Sequence, residues 1–192
     1  MKQISYTFKY WGPFLFCTNV SEDTIKSVKK ILNKKIFHNE HLAGHIEEEF
    51  RIDEKSFSLI MKDYFNAFFE ESKMFYGREI CKQYTCESAW VNYMKPGEFN
   101  PPHTHDGDFS CVLYIDIPKK LIEENKKFKG RSAGPGAIRF DYGEEGKFIT
   151  STYSLFPKQN DFYMFPATLK HCVFPYTSNC KRVSVSANIK CV

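Results

Sequence analysis

Long apolar runs are what this chain most plainly lacks: none approaches the ~18 residues a helix needs to cross a bilayer. The opening residues, Met1-Lys2-Gln3-Ile4-Ser5-Tyr6, carry no apolar stretch of the secretory-signal kind, so a cytoplasmic protein without a membrane partner is expected. Charge of one sign is scarce too. Lysine and arginine number 27 against 23 acids, and the densest basic run is only Lys126-Lys127-Phe128-Lys129. That run reads as a solvated loop rather than a stripe for nucleic acid. Cysteine supplies no framework: the seven are odd in number, and Cys81 and Cys86 are too loosely spaced for a metal knuckle. Free thiols in a reducing compartment are the expectation. No internal repeat and no low-complexity segment interrupts the chain.

Aromatic side chains, by contrast, are abundant, with nineteen Phe and eleven Tyr among 192 residues. They predict a core filled with large rings, in a chain long enough to bury one without staples. One domain is expected over 1–192, with helical support in 1–85 and a jelly-roll core in 86–192. Residues 21–35 open with a serine cap and two acids, Glu22 and Asp23. They then place Ile25, Val28, Ile31 and Leu32 at helical spacing, with lysines at the far end. A polar connector over 38–51 holds His38, His41 and His45, read as surface residues. A second helix is predicted over 53–76, with Phe57, Ile60, Met61, Tyr64, Phe65, Phe68 and Phe69 on one broad face and Gly77 closing it.

Beyond Tyr84 the period shortens to two. Candidate strands are 89–94, 110–117, 137–140, 148–155, 161–165, 171–175 and 182–189, divided by Pro-Gly, Asp-Gly and Gly-Pro-Gly turns. This pattern predicts a mainly β fold with N-terminal helices, either an all-β sandwich or a jelly roll (a double-stranded β-helix, or cupin-like barrel), with the two helices bracing one outer face of the sheet. The longest irregular stretch, 118–136, is a candidate lid.

The densest chemistry lies in Tyr93-Met94-Lys95-Pro96-Gly97-Glu98-Phe99-Asn100-Pro101-Pro102-His103-Thr104-His105. Two histidines at i and i+2 share a face if the backbone is extended, and the proline pair favours extension. His171 stands far along the chain, on a strand of its own, and Arg182 follows on an alternating one. Neutral imidazole is the commonest transition-metal ligand. Three protein ligands grouped on one side of an ion leave open positions for a bidentate co-substrate and O₂. A lone histidine is ordinarily a surface or core residue; the weight rests on three together with a permanent cation.

Taken in order, Tyr93, His103-x-His105, Val112-Leu113-Tyr114-Ile115, Phe165-Pro166, His171, Arg182-x-Ser184 and Asn188 resemble the iron(II)/2-oxoglutarate-dependent oxygenase superfamily. Within it the chain is similar to small oxygenases of bacteria and bacteriophages that carry His-x-His, and more distantly to prolyl hydroxylases. The likeness spans 89–188, and Leu42-Ala43-Gly44 adds a short match to phage members. It implies Fe²⁺, O₂ and 2-oxoglutarate, decarboxylated to succinate and CO₂ while a substrate is hydroxylated. It also implies a host cytoplasm if the gene belongs to a phage. By the same likeness His103 is the first iron ligand and His171 the distal one. Arg182 pairs with the far carboxylate of 2-oxoglutarate, Ser184 adds a hydroxyl donor, and Tyr93 and Tyr114 line the co-substrate pocket. A guanidinium fork suits a carboxylate. The superfamily pattern wants a carboxylate where this chain has His105. Either three histidines bind the metal, or Asp106 or Asp108 reaches in; alternation favours His105, since Asp106 points away unless a bulge intervenes.

Three other readings compete. A cupin would match Gly97-x5-His103-x-His105, but lacks its next glutamate, with Phe109 and Ser110 near that place, and has Thr168 where glycine is expected. A zinc enzyme would use the same three histidines to activate water. A β-sandwich binding module would leave them incidental. The primary substrate stays open among a protein side chain, a nucleobase and a small metabolite, and the oligomeric state is equally open.

Overall fold

The computed structural model describes residues 12–32, 36–38 and 43–192. Two helices form where caps and periodicity ask for them. Helix α1 (Glu22–Ile31) starts at Ser21, whose hydroxyl accepts the Thr24 N–H at 3.3 Å, and buries Ile25 and Val28. Helix α2 (Glu54–Tyr76) starts at Asp53, whose carboxylate accepts the Ser56 N–H at 2.7 Å. It stops at Gly77, which takes φ 66°, a left-handed value that glycine reaches without a Cβ clash. Its inner face buries Phe57, Met61, Phe65 and Phe68.

The strands run in chain order as β1 (Phe16–Asn19), β2 (Glu49–Arg51), β3 (Tyr84–Met94), β4 (Asn100–His103), β5 (Phe109–Asp116), β6 (Ile138–Asp141), β7 (Thr152–Leu155), β8 (Asp161–Pro166), β9 (Lys170–Val173) and β10 (Arg182–Cys191). They make two sheets. The larger has the order β1-β8-β5-β10-β3-β2 and the smaller β4-β9-β6-β7. Every pairing is antiparallel. This is the general jelly-roll architecture expected, although neither sheet closes on itself into a barrel.

Strand alternation divides the core in two. Val183, Val185, Ala187 and Ile189 of β10 face the helices and join a cluster with Ile25, Phe57, Phe65 and Phe162. Arg182, Ser184, Ser186 and Asn188 of the same strand face the space between the sheets. A second apolar cluster, including Tyr114, Phe140, Tyr163 and Phe165, closes one part of that space. A polar cavity of about 410 Å³ fills another. One strand thus supplies both an apolar wall and a polar floor.

Several expectations need correction. Strands β1, β2 and β4 were not predicted; they are three or four residues long, too short for alternation to show. The strand predicted over 148–155 is confined to Thr152–Leu155. The candidate lid over 118–136 contains helix α3 (Lys119–Lys127), which buries only Leu121 and so has almost no apolar period to read. Helix α3 is tied down: the Glu124 carboxylate accepts the N–H of Thr177 at 2.8 Å and of Ser178 at 2.7 Å. Helix α1 ends before the predicted 35, and residues 33–35 lie outside the described residues, as does His41. Not all thiols are free. Cys81 and Cys191 form a disulfide across 110 residues, their Cα atoms 5.4 Å apart, because β10 pairs with β3 and Cys191 sits opposite Tyr84. The other five cysteines are free. Among the described residues, no helix is long and apolar enough to cross a membrane.

Candidate metal centre and its cavity

His103 ends β4 and faces His171 of β9 directly across the pair. His105 lies just past the strand end, where its N–H donates to the Ala167 carbonyl at 2.9 Å. The ring centroids of His103 and His171 are 4.4 Å apart, and those of His105 lie 4.9 Å and 5.0 Å from them. One ring nitrogen from each falls within 4.8 Å of the others, as a shared cation would require.

The tautomers suit a metal. His103 Nδ1 sits 2.7 Å from the Pro101 carbonyl and His171 Nδ1 2.9 Å from the Leu169 carbonyl. A carbonyl can only accept, so each Nδ1 carries the proton and each Nε2 keeps a lone pair. His105 Nε2 and His171 Nε2 are 3.2 Å apart, a gap one proton spans and a cation can take over. Burial lowers the His103 pKa and takes His105 down to about 3 and His171 to about 4. The neighbouring imidazoles push the last two the same way. All three are neutral donors at physiological pH.

Arg182 occupies the same cavity and is 2 % exposed. One of its terminal nitrogens donates to the Gly136 carbonyl at 3.1 Å, its Nε has no partner, and its guanidinium lies 5.6 Å from the Tyr114 ring centre. No carboxylate pairs with it among the described residues. Desolvation lowers its pKa below the usual arginine value. The buried Tyr114 hydroxyl is also without a partner, and burial pushes its pKa up to about 12. Ser184 stands opposite Tyr114 in the register and lines the same cavity. An uncompensated buried cation beside an unpartnered hydroxyl is costly unless an anion completes it.

A family model described as "Putative 2OG-Fe(II) oxygenase" matches residues 88–188. The chain belongs to this family. Solved structures agree on the fold. The viral collagen prolyl hydroxylase of Paramecium bursaria Chlorella virus-1, solved with 2OG, superposes with TM-score 0.58 at 15 % identity, covering 94 % of this chain and 98 % of its own. A Pseudomonas putida prolyl-4-hydroxylase gives 0.57 at 14 %, covering 93 % and 92 %. HygX from Streptomyces hygroscopicus, with nickel and 2-oxoglutarate bound, gives 0.53 at 8 %, covering 93 % and 83 %. No curated protein matches by sequence.

Within this family member, the structure brings His103, His105, His171, Arg182, Ser184 and Tyr114 to one cavity. Tyr93 is not among them. It faces the helices, packing edge-on against Phe50 with the Lys181 ammonium 5.8 Å from its ring centre. The cavity-facing residue of that strand is its neighbour Asn92, and the side-chain phase of β3 could not be read from Tyr93 alone. Asp106 is exposed at the cavity mouth and stays outside the three-histidine cluster. Asp108 is engaged elsewhere, accepting the Cys191 N–H at 2.8 Å and pairing with Lys190 at 3.3 Å. Sequence reasoning missed Glu49, Trp90, Asn92 and Asn100, all cavity-lining, and His38, read as a surface residue, lines the cavity as well. His45 is exposed. The signal that was available is Trp90-x-Asn92 on a strand leading to the histidines; for Glu49 there was none.

Proposed function

We propose that the protein is an Fe(II)- and 2-oxoglutarate-dependent dioxygenase. The observation that carries this is Arg182: a guanidinium buried without an acid partner, in the cavity that also holds three converging imidazoles. The donor set fits the ion, since three neutral nitrogens leave coordination positions open. His103, His105 and His171 would hold it, with Pro101 and Leu169 carbonyls fixing two of the rings. Arg182 would receive the far carboxylate of 2-oxoglutarate as a fork, and Ser184 and Tyr114 would each donate a hydroxyl. Bound iron supplies the coupled chemistry, in which 2-oxoglutarate, O₂ and a C–H bond become succinate, CO₂ and an alcohol. Fold relatives solved with 2-oxoglutarate support the reading.

Succinate release, together with calorimetric titration of metal and of 2-oxoglutarate, tests it. Arg182→Ala should bind Fe(II) as the parent does while 2-oxoglutarate affinity falls roughly a hundredfold, the factor for losing a bidentate charged pair. Equal 2-oxoglutarate affinity in the two proteins would falsify the assignment. A second reading has one observation in its favour: the cluster lacks a carboxylate, and three histidines with an open position suit a zinc-activated water. Protein that retains only zinc and releases no succinate would establish it.

A further inference from the structure

The cavity has a second polar end that the 2-oxoglutarate site does not use. Glu49 of β2 is 1 % exposed and stands directly opposite Asn92 of β3. Its Oε2 is buried without a hydrogen-bond partner, as are Asn92 Oδ1 and Asn100 Oδ1. All three residues line the cavity. Three buried oxygens lining one end of the cavity are thus each left without a partner, an arrangement whose desolvation is unfavourable unless a ligand supplies the missing hydrogens. No ion pair reaches Glu49 among the described residues; the nearby lysines are committed to its neighbours, Lys95 to Glu47 at 2.9 Å and Lys181 to Glu48 at 2.8 Å.

We infer that this end, formed by Glu49, Asn92 and Asn100, is a subsite for a protonated primary amine carried by the primary substrate, an inference that rests on the oxygenase reading above. An ammonium has three donors and no acceptor, which matches three orphaned oxygens. The Trp90 ring, 3 % exposed, adds an aromatic face of the kind that attracts cations, with the His38 ring 5.7 Å away on one side. The His105 ring is also 5.7 Å from Trp90, so an amine held here stays close to the metal centre. Gly44 keeps the space open. A Cβ there would lie 2.0 Å from Asn100 Oδ1 and 3.5 Å from Glu49 Oε1, and its φ does not itself require glycine. Burial, with the Glu98 charge nearby, lifts the empty Glu49 carboxyl to about 8, and a bound cation reverses that penalty. The cavity is therefore bipolar: row by row across the sheet, Glu49 leads through Asn92 and Ser184 to Tyr114, against which Arg182 stacks.

The test uses the full chain loaded with Mn(II) and 2-oxoglutarate, reading the paramagnetic relaxation of n-butylammonium protons against those of 1-butanol and methylguanidinium. Enhancement should be greatest for n-butylammonium. It should fall roughly tenfold, the factor for one charge-assisted hydrogen bond, in Glu49→Gln and likewise in Gly44→Ala, which blocks the subsite without touching the core. Mn(II) affinity should be unchanged in both variants. Equal enhancement for the amine and the alcohol, or for parent and both variants, overturns this inference alone. Stronger relaxation of methylguanidinium overturns the choice of amine, and loss of Mn(II) binding in Glu49→Gln makes that residue a metal ligand instead. Failure of the parent to bind Mn(II) overturns the oxygenase reading and this inference with it.

Discussion

Arg182 and Glu49 are two buried ionisable groups, one basic and one acidic, and each is stranded in a different way. Arg182 cannot lose its proton in practice, so it awaits an anion. Glu49 has a way out that Arg182 lacks: with the cavity empty, burial and the Glu98 charge raise its carboxyl from 4.5 to about 8, so the folded chain holds that proton more tightly than the unfolded one. Between those values the unfolded chain ionises while the folded one holds the proton, so stability declines as pH rises from about 4.5 to about 8 and then levels. Glu49→Gln should therefore melt higher than the parent above pH 8, by on the order of 5 kcal/mol in stability, and alike near pH 4.5; scanning calorimetry at both pH values checks it. The two tyrosines separate equally cleanly. Tyr114→Phe should weaken 2-oxoglutarate binding by about 1 kcal/mol, whereas Tyr93→Phe should leave it unchanged, as titration calorimetry would report. That the three histidines and Arg182 share one cavity could be anticipated from strand alternation and residue type. The place of Tyr93 could not, because a one-residue error in strand phase exchanges the two faces.

At the scale of elements, the turn after His105 decides whether the second imidazole reaches its partners. Gly107 takes φ 85°, and a Cβ there would lie 2.9 Å from the Ile189 carbonyl oxygen of β10. Gly107→Ala must move the turn, and with it His105. Metal affinity should fall about tenfold while the far-UV circular dichroism stays the same, since no helix or strand core is disturbed. The elements that could be read are those that carry their own signals. Helix α2 has a cap, a 3.6-residue apolar stripe and a terminal glycine, and its prediction agrees closely with Glu54–Tyr76. Strand β4, four residues with two prolines, has no such signals and exists because β9 pairs with it.

For the whole molecule, the disulfide joins the segment just before β3 to the end of β10, strands that lie side by side in the larger sheet. Denatured but unreduced protein should titrate five thiols rather than seven. Cys81→Ser should lower stability by roughly 2–4 kcal/mol, by freeing a long loop in the unfolded chain. Chemical denaturation measures it, with metal affinity as the control that should not move.

Residue chemistry and local period belong to the sequence itself: the two N-terminal helices, the β-rich second half, the imidazole motif and the guanidinium of the last strand. They are local because caps, alternation and side-chain type act within a few residues. Which residues meet was decided by tertiary structure. The pairing of β4 with β9 set His103 against His171, that of β2 with β3 set Glu49 against Asn92, and that of β3 with β10 closed the disulfide. Each joins segments far apart along the chain, and hydrogen-bond register between strands leaves no mark in the spacing of either one.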